Sequence, residues 1–148
     1  MSDFDIYSLE QTALRLLVKR EHSRWELRQK LKTGKASPGQ IEQLLDELAE
    51  QDAQSDRRYA QEYIDFRRRR GFGPARIHLE LSERGITPEL VDELLDPDDE
   101  QWDQVLLATA KSKFGGNPPQ GFRDWARRAR FLEYRGFSPD TICRLLSK

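Results

Sequence analysis

Cysteine occurs once in these 148 residues and histidine twice. The lone Cys143 excludes an internal disulfide, and its place beside an apolar stripe makes it a packing residue. His22 and His78 have no metal-ligand partner at helical spacing, so no metal site is expected. No phosphate loop is present: Gly71-Phe72-Gly73 lacks the preceding strand and the third glycine of a dinucleotide fingerprint. No segment alternates with period two over a strand's length, which argues against a sheet. No apolar run approaches the ~18 residues of a membrane span. The start, Met1-Ser2-Asp3-Phe4-Asp5, is acidic and polar, unlike a signal peptide. These absences point to a cytoplasmic protein that is not an enzyme and needs no cofactor.

One phrase is present three times. Ala36-Ser37-Pro38 is followed by Ile41, Leu44 and Leu45. Gly85-Ile86-Thr87-Pro88 is followed by Val91, Leu94 and Leu95, and Gly136-Phe137-Ser138-Pro139 by Ile142, Leu145 and Leu146. The copies lie 50 and 51 residues apart. A fixed period of this size means one supersecondary unit used three times. Ser or Thr ahead of Pro starts a helix: the hydroxyl caps free N–H groups, and Pro has no N–H to leave unpaired. The apolar residues then fall at i, i+3 and i+4, one helical stripe. Gly85 and Gly136 stand where the preceding helix must end.

The rest of each unit is helical too. In the second, the spacing predicts helices over about 56–70, from Pro74 to about Arg84, and from Pro88 to Leu95. The first unit repeats this at an offset of 50. The third inserts Gly115-Gly116-Asn117-Pro118-Pro119 after a helix near 99–114. The expected fold is all-α, with about nine helices in three tandem three-helix repeats: residues 1–52, 53–97 and 98–148. Leu44, Leu81, Leu94, Leu132 and Leu145 are expected in the core, as are Tyr59, Tyr63, Phe66 and the tryptophans Trp25, Trp102 and Trp125.

The net charge of −1 hides a strong pattern. Gln11 to Lys35 holds eight bases against two acids, Arg67 to Arg84 six against two, and Phe122 to Arg135 five against two. Gln40 to Asp56 has six acids and no base, and Glu89 to Asp103 eight and no base. If the units stack in one orientation, basic and acidic faces form separate stripes. A basic stripe attracts phosphate and releases counterions on binding. The acidic third helices would be repelled from a major groove, which argues against helix-turn-helix reading of DNA sequence.

The leading candidates for binding are Arg67, Arg68, Arg69, Arg70 and Arg76 around the Gly71–Pro74 turn, enlarged by Arg57 and Arg58. A four-residue run circles a helix, so at least one of these arginines is expected to pack or pair internally. Arg24, Arg28, Lys30, Arg127, Arg128 and Arg130 form a secondary basic set. Phe72 is either a stacking residue or a plug at the turn.

Asp56-Arg57-Arg58-Tyr59-Ala60, Tyr63, and the run from Arg67 to Ile77 with Glu80-Leu81, Gly85 and Ile86 resemble the central signature of the RecX regulators of the RecA recombinase. Arg130-Phe131-Leu132 with Tyr134-Arg135-Gly136-Phe137 is similar to that family's third-unit signature. Ala13 to Leu17 with Arg20-Glu21-His22-Ser23 and Glu26-Leu27 is similar to its first. The resemblance implies an elongated, curved molecule that binds RecA filaments on single- or double-stranded DNA. It also implies that RecA strand exchange and ATP hydrolysis are lowered, which bears on recombination, repair and the SOS response. A long monomer with a basic stripe suits a linear polyanionic partner. The alternative is a sequence-independent nucleic-acid-binding protein with no obligatory protein partner.

Overall fold

The structure is a computed structural model that describes residues 3–146. Met1 and Ser2 of the polar start lie outside the described residues. Among the described residues there are nine helices and no strand. The first unit comprises α1 (Asp3–Lys19), α2 (Arg24–Leu31) and α3 (Pro38–Glu50). The second comprises α4 (Asp56–Arg69), α5 (Pro74–Glu83) and α6 (Pro88–Leu94). The third comprises α7 (Gln101–Phe114), α8 (Gly121–Tyr134) and α9 (Pro139–Leu146). The most extensive helix contacts all fall within a unit.

The repeated phrase builds the same joint each time. Ser37 Oγ accepts from the Gln40 amide while the Gln40 side chain returns to the Ser37 amide, a complete capping box. Thr87 caps the Leu90 amide, and Ser138 caps that of Thr141. Gly85 and Gly136 turn the chain ahead of these caps with φ of +80° and +103°, where a side chain would be strained.

Apolar burial divides the molecule unequally. Leu27, Leu31, Ile41, Leu44, Leu45 and Leu48 form a core belonging to the first unit alone. The second and third units share one continuous core, in which Ile77, Leu81, Leu106, Leu132 and Ile142 are buried. Leu94 and Leu145 differ from expectation: both are half-buried, and their neighbours Leu95 and Leu146 take the inner positions. Helix α6 stops at Leu94, and the extended backbone of Leu95 turns that side chain inward. In α9, Ile142 and Leu146 stand one turn apart on the inner face and leave Leu145 at its edge. Phe66 is 42% exposed, Trp25 is 39% exposed, and Cys143 is exposed rather than packed. Trp102 is buried as expected, whereas Tyr63 and Trp125 are half-buried.

The two joints between units use different chemistry. Between the first and second, the Arg24 amide and the Gln54 side chain both donate to Asp56 Oδ1, at 2.8 and 2.9 Å. Gln54 also donates to the His22 carbonyl, and Arg58 donates to Glu21. Between the second and third, backbone meets backbone. Gly73 is the cap residue ahead of α5 and has no side chain to bond the helix's first amides. The Arg135 carbonyl accepts the Gly73 amide at 2.7 Å, and the Gly136 carbonyl accepts that of Ala75 at 3.0 Å. Amides that a helix start leaves unpaired are thus satisfied by another unit.

Candidate nucleic-acid interface

Carboxylates claim most of the basic residues that the sequence singles out. Arg57 forks onto Glu93 at 3.0 Å. Arg58 donates to Glu21 and to the Asp52 carbonyl. Arg24 donates to Glu42 and Asp46, and Arg28 to Glu42, from which these guanidiniums hold the Glu42 carboxyl down at about 2. The expected separate stripes of opposite charge therefore do not form: basic α2 faces acidic α3 and pairs with its Glu42 and Asp46. Lys30 lies 2.9 Å from His22 Nε2.

Arg67 and Arg76 converge on one buried acid that the sequence reading missed. Glu80 accepts from both Nε and an Nη of Arg67 at 2.9 Å, from the Tyr63 hydroxyl at 2.9 Å and from Arg76 Nε at 3.1 Å. Burial works against its charge, but these donors hold the carboxyl below the usual range. Burial and the bond to Glu80 together push the Tyr63 hydroxyl up to about 12. Arg67 lies 3.6 Å from the Phe72 ring centre, and Arg135 covers the same ring at 4.4 Å. Phe72 is therefore the plug of the turn, clamped between cations, and offers no free face for stacking. The i, i+4 spacing of Arg76 and Glu80 was the available signal for this hub.

Arg128 is also internal. It is 8% exposed, donates to the Asn117 carbonyl at 2.9 Å and pairs with Asp124 at 3.1 Å. Arg128 falls where the repeat places an apolar residue, and it ties the inserted loop to α8. The Gln120 amide, Arg127 and Arg128 hold the Asp124 carboxyl down at about 2. Arg130 is exposed and makes no ion pair among the described residues.

Three of the leading candidates are brought to one place. Arg68, Arg69 and Arg70, at the end of α4, line an open groove of about 790 Å³ against α7 and the end of α8. Lys113 and Arg135 line it from the third unit, with Gln101 and Gln104 as further polar groups. No carboxylate is among the lining residues. Asp65 outside the groove restrains Arg68 and lies 3.5 Å from Arg69. Arg70 has no carboxylate partner among the described residues; it covers the Phe66 ring at 4.6 Å. Arg135 donates to the Arg70 carbonyl at 2.9 Å, which locks the two rims together. Lys113 and Arg135 escaped the sequence reading because they reach the groove from more than 40 residues away. Preorganised guanidinium and ammonium groups in a groove with no carboxylate on its lining suit phosphate oxygens. Among the described residues no cluster of three or more His, Cys, Asp or Glu is arranged to hold a metal.

Comparison with known proteins agrees along the chain. Three family models match: the first RecX three-helix domain over residues 11–48, the second over 55–95 and the third over 99–146. Regulatory protein RecX of Pseudomonas fluorescens is 43% identical over 142 residues, covering 96% of this chain and 92% of its own. That of Pseudomonas entomophila is 42% identical over 140 residues, covering 95% and 90%. The crystal structure of RecX from Lactobacillus salivarius superposes with a TM-score of 0.78 at 21% identity, over 99% of this chain and 97% of that one, and so shares the fold. With each of its three units matched in order, the chain belongs to the RecX family of regulatory proteins.

Proposed function

We propose that this protein restrains RecA by binding RecA–DNA filaments, lowering strand exchange and ATP hydrolysis without catalysing a reaction of its own. It acts in the cytoplasm as a monomer of three units, residues 1–52, 53–97 and 98–148, and accepts single- or double-stranded DNA. The observation that carries the reading is the carboxylate-free cationic groove where the second and third units meet. Within it Arg69, Arg70 and Lys113 seat phosphates, while Arg68 and Arg135 fix the rims. Arg67 and Arg76 support the groove from behind through Glu80, so their part is structural. Arg58 neutralises Glu21 at the joint between the first two units, Arg57 pairs with Glu93 within the second, and both contribute little to DNA. Paired acidic and basic surfaces elsewhere leave the rest of the molecule free to meet protein.

The test is the triple variant Arg69→Ala, Arg70→Ala, Lys113→Ala. All three side chains are exposed, and each change is expected to cost within ~0.5 kcal/mol of stability. DNA binding weakens at all sequences alike, with a salt slope flatter by ~0.7 per lost contact on single strands. Inhibition of RecA ATP hydrolysis falls in parallel. An unchanged salt slope with full inhibition rejects the groove. RecA that co-purifies only without nuclease favours a nucleic-acid-binding protein with no obligatory protein partner.

A further inference from the structure

Helix α8 carries a second feature, on the side away from the groove. Phe122 is 78% exposed. Its inner face rests on Trp125, with ring centres 6.2 Å apart and planes 21° apart. The outer face is open, and the ring borders a shallow hollow of about 610 Å³ lined by Pro118, Pro119 and Trp125. A buttressed ring with one free face is already oriented for stacking.

The charges beside this ring are unspent. Arg123 and Arg130 are exposed and make no ion pair among the described residues. They stand seven residues apart on the outer face of α8, two turns or about 10.5 Å. The acid between them, Asp124, is already occupied by Gln120, Arg127 and Arg128. The exposed Glu133 stands three residues beyond Arg130 in α8 but makes no ion pair with it among the described residues. An open aromatic face flanked by free arginines combines the two elements that hold unpaired nucleotides: a stacking surface and cations for the backbone. Unpaired cations at its edge disfavour an apolar or basic protein segment in the same hollow.

We propose that α8 binds single-stranded nucleic acid, with an unpaired base stacked on Phe122 and backbone phosphates on Arg123 and Arg130. This rests on the reading of the protein as a nucleic-acid-binding regulator. It goes further by adding a second contact that distinguishes unpaired from paired strands, since a base within a duplex cannot reach the ring.

The experiment uses the full chain and three probes: a 20-nucleotide oligothymidylate, an abasic strand of equal length and a 20-base-pair duplex. Phe122→Ala is expected to weaken oligothymidylate binding about tenfold and to leave the abasic strand and the duplex unchanged. Phe122→Tyr retains the affinity. Arg123→Ala with Arg130→Ala flattens the salt slope on oligothymidylate by ~1.4, two contacts at ~0.7 each. Because Phe122 is so exposed, an unchanged helical spectrum is expected for each variant. Equal losses on oligothymidylate and abasic strand, or no loss on either, overturn the stacking site. So does a loss confined to binding of RecA protein, which makes the hollow a protein contact. If Phe122→Ala is silent while the groove variant loses DNA, only the α8 site fails. If the unaltered protein binds none of the probes, the nucleic-acid reading fails with it.

Discussion

The Gly73 amide donates to the Arg135 carbonyl at 2.7 Å, and this approach is possible only because residue 73 has no side chain. A Cβ there would lie 2.6 Å from the Gly136 carbonyl carbon and oxygen. Both obstructing atoms are backbone and cannot rotate away. Gly73→Ala is therefore expected to cost about 1–3 kcal/mol, measured by urea unfolding. Gly39→Ala is the contrast: nothing lies within 4 Å of its added Cβ. That change in α3 is expected to stabilise by about 0.5–1 kcal/mol. Equal effects at the two positions would show that the backbone joint tolerates a methyl group.

Glu80 accepts four hydrogen bonds from three side chains, and its removal strands two guanidiniums. Glu80→Gln is expected to cost about 3 kcal/mol and to loosen the Phe72 clamp. The carboxyl titrates below its unfolded value of about 4.3, so its contribution is complete above that pH. It disappears as pH falls through the folded value, where the unfolded chain has already taken up its proton. Acid titration of urea midpoints checks this: the fall between pH 5 and 3 should be shallower in the variant.

His22 is 1% exposed, and its geometry fixes one tautomer. Nδ1 lies 3.0 Å from the Arg20 carbonyl, which can only accept, so Nδ1 carries the proton. Nε2 then accepts from the Lys30 ammonium at 2.9 Å. Burial, together with nearby Arg20 and Lys30, pushes the imidazole pKa down. Folding stability from this group is full above its unfolded pKa of about 6.5 and declines as pH falls through the lower folded value. His22→Gln, which stays neutral, should narrow the difference between urea midpoints at pH 7.5 and 5. An unchanged difference would place the pH dependence elsewhere.

Leu81 and Leu94 occupy the interior and the margin of the shared core. Leu81→Ala should cost ~2–5 kcal/mol, because its side chain is fully buried. Leu94→Ala should cost clearly less, since that side chain is only partly buried at the margin of the core. Thermal unfolding of the pair orders them, and a larger loss at Leu94 would contradict the packing described.

The local parts of this fold were legible in the sequence. Ser37, Thr87 and Ser138 act on amides three residues away, so cap, proline and apolar stripe could be read together. The charge pattern misled because pairing is decided in space. Arg24 reads as free until α3 brings Glu42 beside it, 18 residues on. Arg70 and Arg135 meet across 65 residues, and no periodicity reports such a meeting. Phe122 carried no signal either, because an exposed aromatic and a core aromatic look alike at a helix start.

The separate apolar core of the first unit has a consequence for cooperativity. Its link to the remainder runs through hydrogen bonds of Asp56, Gln54, Glu21 and Arg58 and through Trp25, which packs against Gly85, but no buried apolar cluster continues across it. The second and third units are expected to melt as one block because they share buried leucines, and α1–α3 to open ahead of that block. Amide exchange should therefore separate the chain into two populations, with the faster boundary falling at the Gln54–Asp56 joint. A molecule built this way can change the direction of its first unit at low cost while its cationic groove keeps its shape.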